Sequence, residues 1–336
     1  MEKQLHAYVR STGAYVPPRR MSNDELAQIV DTSDEWIYSH TGIRYRHIAD
    51  EGVAASDLAI EAAGIALRNA HVTPDEIDLI LLATSTPDYP GLPATACVVQ
   101  DRLGAANAGA MDLVAACTGF IYGLETARAF IESAAARTVL VIGSEVYSKI
   151  INWKDRNSCV LFGDGAGAAV VTAVDATSRQ RADSRIIDGK LYSRGQGAEA
   201  LARLAGGSRT PKPEGGLESP QCFLSMDGRK VYNFAVAALV ETIQALLQRN
   251  NLQFSDIDWV VPHQANVRII DAAAKRAGFD KSKFFTNIAE YANTSAASIP
   301  IALDEMSRSG ALRRGQKVIT VGFGAGLTYG GNLLIW

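Results

Sequence analysis

Asp75-Glu76-Ile77-Asp78-Leu79-Ile80-Leu81-Leu82 and Ser255-Asp256-Ile257-Asp258-Trp259-Val260-Val261-Pro262 are one pattern written twice, with Ile257 standing 180 positions after Ile77. In each copy an acidic turn leads into a short apolar run, and each copy follows a helix-like stretch, 62–69 in the first and 237–250 in the second. A second echo pairs Thr138-Val139-Leu140-Val141-Ile142-Gly143 with Lys317-Val318-Ile319-Thr320-Val321-Gly322, Val318 standing 179 positions after Val139. Two echoes at nearly one offset predict a duplication, with halves at 1–175 and 176–336. Helical patterns lie between the apolar runs, so the class is α/β with largely buried strands.

Composition narrows the function. Of 336 residues, 47% are hydrophobic and 21% charged, as expected of a soluble globular protein. A net charge of −3 argues against a nucleic-acid binder, whose basic face usually shows in the balance. Cys97, Cys117, Cys159 and Cys222 have neither metal-ligand spacing nor disulfide density, so they read as free thiols in a reducing cytoplasm. The N-terminus lacks the apolar centre of a signal peptide. Stretches such as 79–83 and 159–174 are too short or too interrupted to insert in a membrane. Rich in Gly, Pro, Ser and charge, 195–220 reads as a long surface excursion.

Cys117 stands between the apolar stretch Met111-Asp112-Leu113-Val114 and a helical pattern with apolar residues at 117, 120, 121, 124, 127 and 131. A thiol in the first turn of a helix meets free N–H groups and the positive end of the macrodipole, which lowers its pKa from ~8.5 to ~7 or below. Gly119, Gly123 and Ala127 form a small stripe on that helix, and a second helical run, 295–307, opens with Ser295-Ala296-Ala297-Ser298. Two such helices can pack closely between two sheets. Of the histidines (His6, His40, His47, His71, His263), only His263 follows an apolar strand at its carboxyl end, where ligand sites of α/β proteins collect. Asn293 precedes the second small-residue run. Each also has an ordinary structural role: a buried thiol, a strand-capping imidazole, a helix N-cap. Gly163-Asp164-Gly165-Ala166-Gly167 lacks dinucleotide-binding spacing and leads into strand-like residues, so it reads as tight turns.

Five segments resemble 3-oxoacyl-acyl-carrier-protein synthase III, of the thiolase superfamily. They are Asp31-Thr32-Ser33-Asp34-Glu35-Trp36-Ile37 with Thr41-Gly42-Ile43-Arg44, Ala115-Ala116-Cys117-Thr118-Gly119-Phe120, Phe162-Gly163-Asp164-Gly165-Ala166-Gly167-Ala168, Val261-Pro262-His263-Gln264-Ala265-Asn266-Val267-Arg268, and Asn293-Thr294-Ser295-Ala296-Ala297-Ser298. The resemblance runs in the family's order to Thr328-Tyr329-Gly330. It implies a five-layered αβαβα sandwich, usually a homodimer, with a Cys117–His263–Asn293 triad. Cys117 takes the acyl group of a short acyl-CoA, acetyl-CoA being the expected primer. Malonyl-acyl-carrier protein then loses CO₂, and its enolate attacks the acyl-cysteine to give 3-oxoacyl-carrier protein. Neither half needs a metal or redox cofactor. Backbone N–H groups at Cys117 and in Gly324-Ala325-Gly326 are the expected oxyanion donors.

By matched segment, Thr32, Trp36, Arg156 and Asn266 contact CoA, Leu92 bounds the acyl pocket, and Gln264, Ala265, Asn266, Val267 and Arg268 dock the carrier. Arg268, Lys275 and Arg276 share a helical face, which suits an acidic carrier protein. Three positions depart from the pattern: His40 where a cation of CoA-phosphate contact is expected, Leu92 where an aromatic restricts the primer, and Arg229 near the tunnel mouth. Related ketosynthases making polyketide or alkylquinolone precursors are the alternative reading. Cys…His…Asn is also the papain order, but the Cys-Gly-x-Cys-Trp context is absent. A non-catalytic carrier-docking subunit would lack the nucleophile.

Overall fold

Successive residues of an extended strand point to opposite sides of its sheet, so a strand that is apolar throughout needs cover on both faces. The computed structural model, which describes residues 4–175 and 184–336, provides that cover twice. The first sheet contains β1 (Leu5–Tyr15), β2 (Leu79–Ala83), β3 (Gly109–Leu113), β4 (Thr138–Glu145) and β5 (Gly165–Asp175), in the order β1-β5-β4-β2-β3. The second contains β6 (Arg185–Ser193), β7 (Trp259–Pro262), β8 (Lys317–Gly324) and β9 (Thr328–Ile335), in the order β7-β8-β9-β6.

The pairings repeat. β2 runs parallel to β4 as β7 does to β8, and antiparallel partners complete each sheet. The counterpart of β3 is reduced to one parallel bridge between Val260 and Phe284. Both sequence echoes therefore mark equivalent strands. Strands β1–β5 precede residue 176 and β6–β9 follow residue 184; the boundary expected at 175/176 abuts residues 176–183, which lie outside the described residues.

Five layers follow from the alternation of side chains. Ile80 and Leu82 pack outward with Leu140 and Ile142 against α2 (Ala55–Ala70), a helix whose buried face is largely alanine. Leu79, Leu81, Val139 and Val141 point inward, to a middle layer of α3 (Gly119–Glu132) and α6 (Ser298–Arg308). From the other side Val261, Val318 and Leu334 close that layer, while Val260, Ile319 and Leu333 face α4 (Gly228–Arg249) and α5 (Val267–Ala277). By length and composition α4 is able to cross a bilayer, a candidate absent from the sequence reading. Ten of its residues, among them Leu239, Ile243 and Leu246, are instead buried against the second sheet and α5.

The small stripe of α3 serves a different neighbour from the one expected. A Cβ on Gly119 would meet the Ala83 Cβ at 2.6 Å, and one on Gly123 would meet Val141 Cγ1 at 2.6 Å. The stripe lets α3 settle onto β2 and β4, with contact to the second helix secondary, through Ala296. Nor is 195–220 only surface: Leu201 pairs with Met226 in a small hairpin-like ladder, and both reach an internal cavity.

Candidate active site

Cys117 ends a sharp elbow. Ala116 has φ of +47°, a left-handed conformation that costs a non-glycine residue about 1 kcal/mol or more. A turn of 3-10 helix, Ala116–Thr118, then leads into α3. Thr118 fixes this turn by donating to the Ala115 carbonyl at 2.7 Å, with its Oγ1 also 2.8 Å from Thr328 Oγ1. The end of β8 comes close beneath it, since a Cβ on Gly324 would lie 2.7 Å from the Cys117 nitrogen. The thiol is buried, which corrects the lowered pKa expected for a helix mouth. Burial pushes it up to about 12; the adjacent Ser295 hydroxyl draws it down, and the nearby Glu145 carboxylate raises it further.

His263 follows β7, its backbone N–H donating to Val321 O at 2.8 Å. Its Nδ1 lies 2.7 Å from Ser298 Oγ at the start of α6, and its ring packs edge-on to Phe323. Burial lowers its pKa to about 3, so the imidazole is neutral at physiological pH. Asn293 is pinned by its backbone between Leu161 and Gly163, and its Oδ1 accepts the Ser295 N–H at 2.9 Å. That commits the carbonyl side of the carboxamide and leaves its NH₂ as the donor.

The three side chains line one cavity of about 160 Å³, walled by apolar groups including Phe162, Leu201, Leu224, Met226 and Phe323. A second cavity, of about 330 Å³, is lined by Trp36, His40, Arg156 and Arg268. Leu161, Tyr232 and Asn266 line both, so the two are successive compartments of one passage. Trp36 sits on α1 (Asp34–Thr41), which Ser33 caps by accepting the Trp36 N–H at 3.1 Å. His40 stacks on the Trp36 ring with centroids 4.5 Å apart, and the Arg156 guanidinium lies 4.8 Å over the same ring. Asn266 joins the elements at the waist: its Oδ1 caps α5 through Arg268 N–H, and its Nδ2 donates to His40 O.

Residues 111–195 match the 3-oxoacyl-[acyl-carrier-protein] synthase III family, and residues 247–336 match its C-terminal part. The chain is 47% identical over 336 residues to a beta-ketoacyl-[acyl-carrier-protein] synthase III of Caldanaerobacter subterraneus subsp. tengcongensis, covering 100% of this chain and 99% of the relative. The chain belongs to the 3-oxoacyl-[acyl-carrier-protein] synthase III family. Among solved structures, the synthase III of Aquifex aeolicus VF5 is 42% identical, with a TM-score of 0.88 and coverage of 98% of this chain and 100% of that one. The priming beta-ketosynthase of the R1128 polyketide pathway is 36% identical, with a TM-score of 0.89 over 100% of this chain and 98% of that one.

Some residues expected at the synthase site stand elsewhere. Leu92 does not join the cavity; it is 88% exposed on the loop after β2. Thr32, in the turn before α1, lines neither compartment, and its shielded hydroxyl has no hydrogen-bond partner. Gln264 is buried and therefore not presented to a docking protein: its side chain donates to Pro262 O and Phe285 O and accepts the Asn287 N–H. Ala265 lines the inner compartment, Val267 packs toward Gly42, and of this segment Arg268 alone is fully exposed. Arg229 is exposed beside Gly228, which lines the inner cavity. Among the described residues, no group of three His, Cys, Asp or Glu side chains converges as a metal site.

Sequence reading passed over Ser298, Ser295 and Glu145. The two serines looked like small helix starters. Glu145 had a usable signal, an acid at the carboxyl end of a strand with no exposed residue.

Proposed function

We propose that this synthase transfers the acyl group of a short acyl-CoA to Cys117 and condenses it, by decarboxylation, with malonyl-acyl-carrier protein to start a fatty-acid chain. The single observation that carries this reading is the pair of donors left uncommitted in the inner cavity. With Nδ1 of His263 occupied by Ser298 and Oδ1 of Asn293 by Ser295, His263 Nε2–H and the Asn293 NH₂ remain to face developing negative charge. Two donors and no base suit an enolate oxygen, which both hydrogen bonds stabilise more strongly as charge grows. In the first half-reaction the Cys117 N–H and the adjacent backbone of Gly324-Ala325-Gly326 serve the tetrahedral oxyanion.

Trp36 and Arg156 hold the adenine end of CoA, the pantetheine arm runs past Asn266 and Tyr232, and exposed Arg268, Lys275 and Arg276 meet the acidic carrier. The chemistry asks for no resident cofactor. A homodimer belongs to the same proposal, supported by apolar groups in water, Leu92 at 88% and Val114 at 85% exposure, beside the edge strand β3. The 1–175 and 176–336 division, supported by the two sheets, and a cytoplasmic location, supported by free cysteines, complete it. The polyketide-priming alternative has weaker support, because identity to the R1128 enzyme is 36%, against 47% to the Caldanaerobacter synthase III.

The test is mass spectrometry of the intact protein with mixed acyl-CoAs, then with malonyl-acyl-carrier protein. The expected result is one acyl group on Cys117, discharged as 3-oxoacyl-carrier protein. An unmodified thiol with every acyl-CoA tried overturns the proposal.

A further inference from the structure

Near Cys117, outside the lining of the inner cavity, lies a buried carboxylate that the reaction above does not use. Glu145 closes β4 and is completely enclosed. Its Oε2 accepts from Thr86 Oγ1 at 2.8 Å and the Ser85 N–H at 3.0 Å, with Thr84 Oγ1 more distant at 3.4 Å. Its Oε1 accepts from Ser295 Oγ at 3.0 Å, and the turn 295–297 that carries this hydroxyl packs against the turn 116–118 that carries the Cys117 thiol. Ser295 holds this bridging place with φ of +49°, so the backbone bears strain at both ends of the contact, here and at Ala116. The titratable groups facing Glu145 are Cys117 and Tyr147, the latter 3.3 Å from Ser295 Oγ through its hydroxyl.

We infer that Glu145, acting through the Ser295 hydroxyl, accepts the Cys117 proton as the sulfur attacks and returns it when the sulfur is released. It is a positioning residue for the proton rather than a contact of the substrate, and the inference rests on Cys117 being the acyl acceptor proposed above.

The bookkeeping of protons closes. In the first half the S–H bond breaks as the C–S bond forms. The thiol proton passes to Ser295 Oγ while the Ser295 proton passes to Glu145 Oε1, and the thioester π electrons move to oxygen. Collapse of the oxyanion breaks the bond to CoA, whose thiolate takes a proton from water. In the second half the enolate displaces Cys117, and the proton stored on Glu145 returns to the sulfur by the same hydroxyl. His263 is unsuited to the task, since its Nδ1 is held by Ser298 and its other nitrogen keeps a hydrogen. Burial supports the role of Glu145 as well, raising the carboxyl to about 7, where it takes and gives a proton readily.

The experiment is iodoacetamide alkylation of Cys117 across pH 5 to 10, followed by peptide mass spectrometry so that Cys97 and Cys222 do not contribute. Alkylation needs the same loss of the thiol proton but no acyl-CoA or carrier protein, so it judges the relay apart from the proposed function. Glu145→Gln and Ser295→Ala are each expected to slow alkylation near neutral pH at least tenfold, moving the rise in rate to higher pH, with Glu145→Asp recovering part of the loss. An unchanged profile in either folded variant overturns the inference. So does faster alkylation in Glu145→Gln, which would make the carboxylate merely a like charge restraining the thiolate. Should Glu145→Gln not fold, Ser295→Ala alone decides. Failure of acylation by every acyl-CoA, with the alkylation result as expected, defeats the proposed reaction and leaves the relay standing.

Discussion

Ser298 Oγ stands 2.7 Å from His263 Nδ1 and also accepts the Gln264 N–H at 3.4 Å. Among the described residues no other acceptor takes the Ser298 hydroxyl hydrogen, so it donates to Nδ1, which assigns the imidazole hydrogen to Nε2. The residue that sets the tautomer lies 35 positions from the histidine in sequence, in the opening turn of α6.

Ser298→Ala should therefore leave the first half-reaction near its normal rate and slow condensation. Losing a group that orients a catalytic histidine costs about 10-fold to 100-fold by analogy with outer-shell substitutions at metal-bound histidines. Single-turnover rates for acylation by acyl-CoA and for discharge by malonyl-carrier protein separate the halves. Equal loss in both would remove Ser298 from the tautomer role.

Buried groups also set the response to acid. His263 falls from an ordinary 6.5 to about 3, so the folded state binds fewer protons there and loses stability as pH drops through that window. Glu145 rises from 4.5 to about 7, so its contribution is full below 4.5 and lost as pH rises to 7. Between 6.5 and 4.5 the two oppose, and below 4.5 only His263 changes, at about 1.4 kcal/mol per pH unit for one proton. His263→Asn should consequently gain stability relative to wild type as pH falls below 6.5, by a few kcal/mol at pH 4 on the same scale. Urea midpoints across pH 4 to 7.5 measure it; parallel curves for the two proteins would refute the assignment.

Legibility followed distance along the chain. The duplicated strands were readable because Leu79–Ala83 and Trp259–Pro262 carry their pattern within a few residues. Cys117, His263 and Asn293 were readable by type, and the family motif implied that they meet as a triad, although the walls of their shared cavity were not readable. What escaped depends on contacts across the molecule. Gln264 looks like a polar surface residue until its three backbone partners are seen, and the link from Ser295 to Glu145 spans 150 positions. The thiol pKa was misjudged for the same reason. A helix N-terminus is a local feature, whereas the burial that outweighs it comes from segments distant in sequence, among them those of Glu145, Ser295 and Gly324.

At the outer compartment, Trp36 offers a flat face with Arg156 above it. Stacking a base on an aromatic ring contributes about 1–3 kcal/mol, so Trp36→Ala should raise the KM for acyl-CoA by roughly 5-fold to 150-fold. The rate of condensation from preformed acyl-enzyme should not move. A change confined to that second rate would place Trp36 outside the CoA site.

Gly324→Ala probes the elbow. Its Cβ would sit 2.7 Å from the Cys117 nitrogen and 3.3 Å from the Cys117 Cβ, with backbone rather than a flexible side chain in the way. Displacing the proposed nucleophile by about an ångström costs on the order of 100-fold in rate. Acylation measured by mass spectrometry should fall accordingly, with the far-ultraviolet circular dichroism unchanged.

The proposed carrier face rests on charge. Arg268, Lys275 and Arg276 are exposed on α5, while Lys281 is engaged by Asp271 at 2.6 Å. Arg268 also lines the outer compartment, so Lys275→Glu with Arg276→Glu is the cleaner reversal. Like charges facing an acidic carrier slow its encounter, and surface charges act over about 10 Å at 0.1 M salt. The double variant should raise the KM for malonyl-carrier protein at least tenfold in low salt, with the gap narrowing as salt is added. The KM for acyl-CoA should stay constant, because neither residue lines the passage. A salt-independent effect, or one shared equally by both substrates, would assign the loss to altered packing of α5.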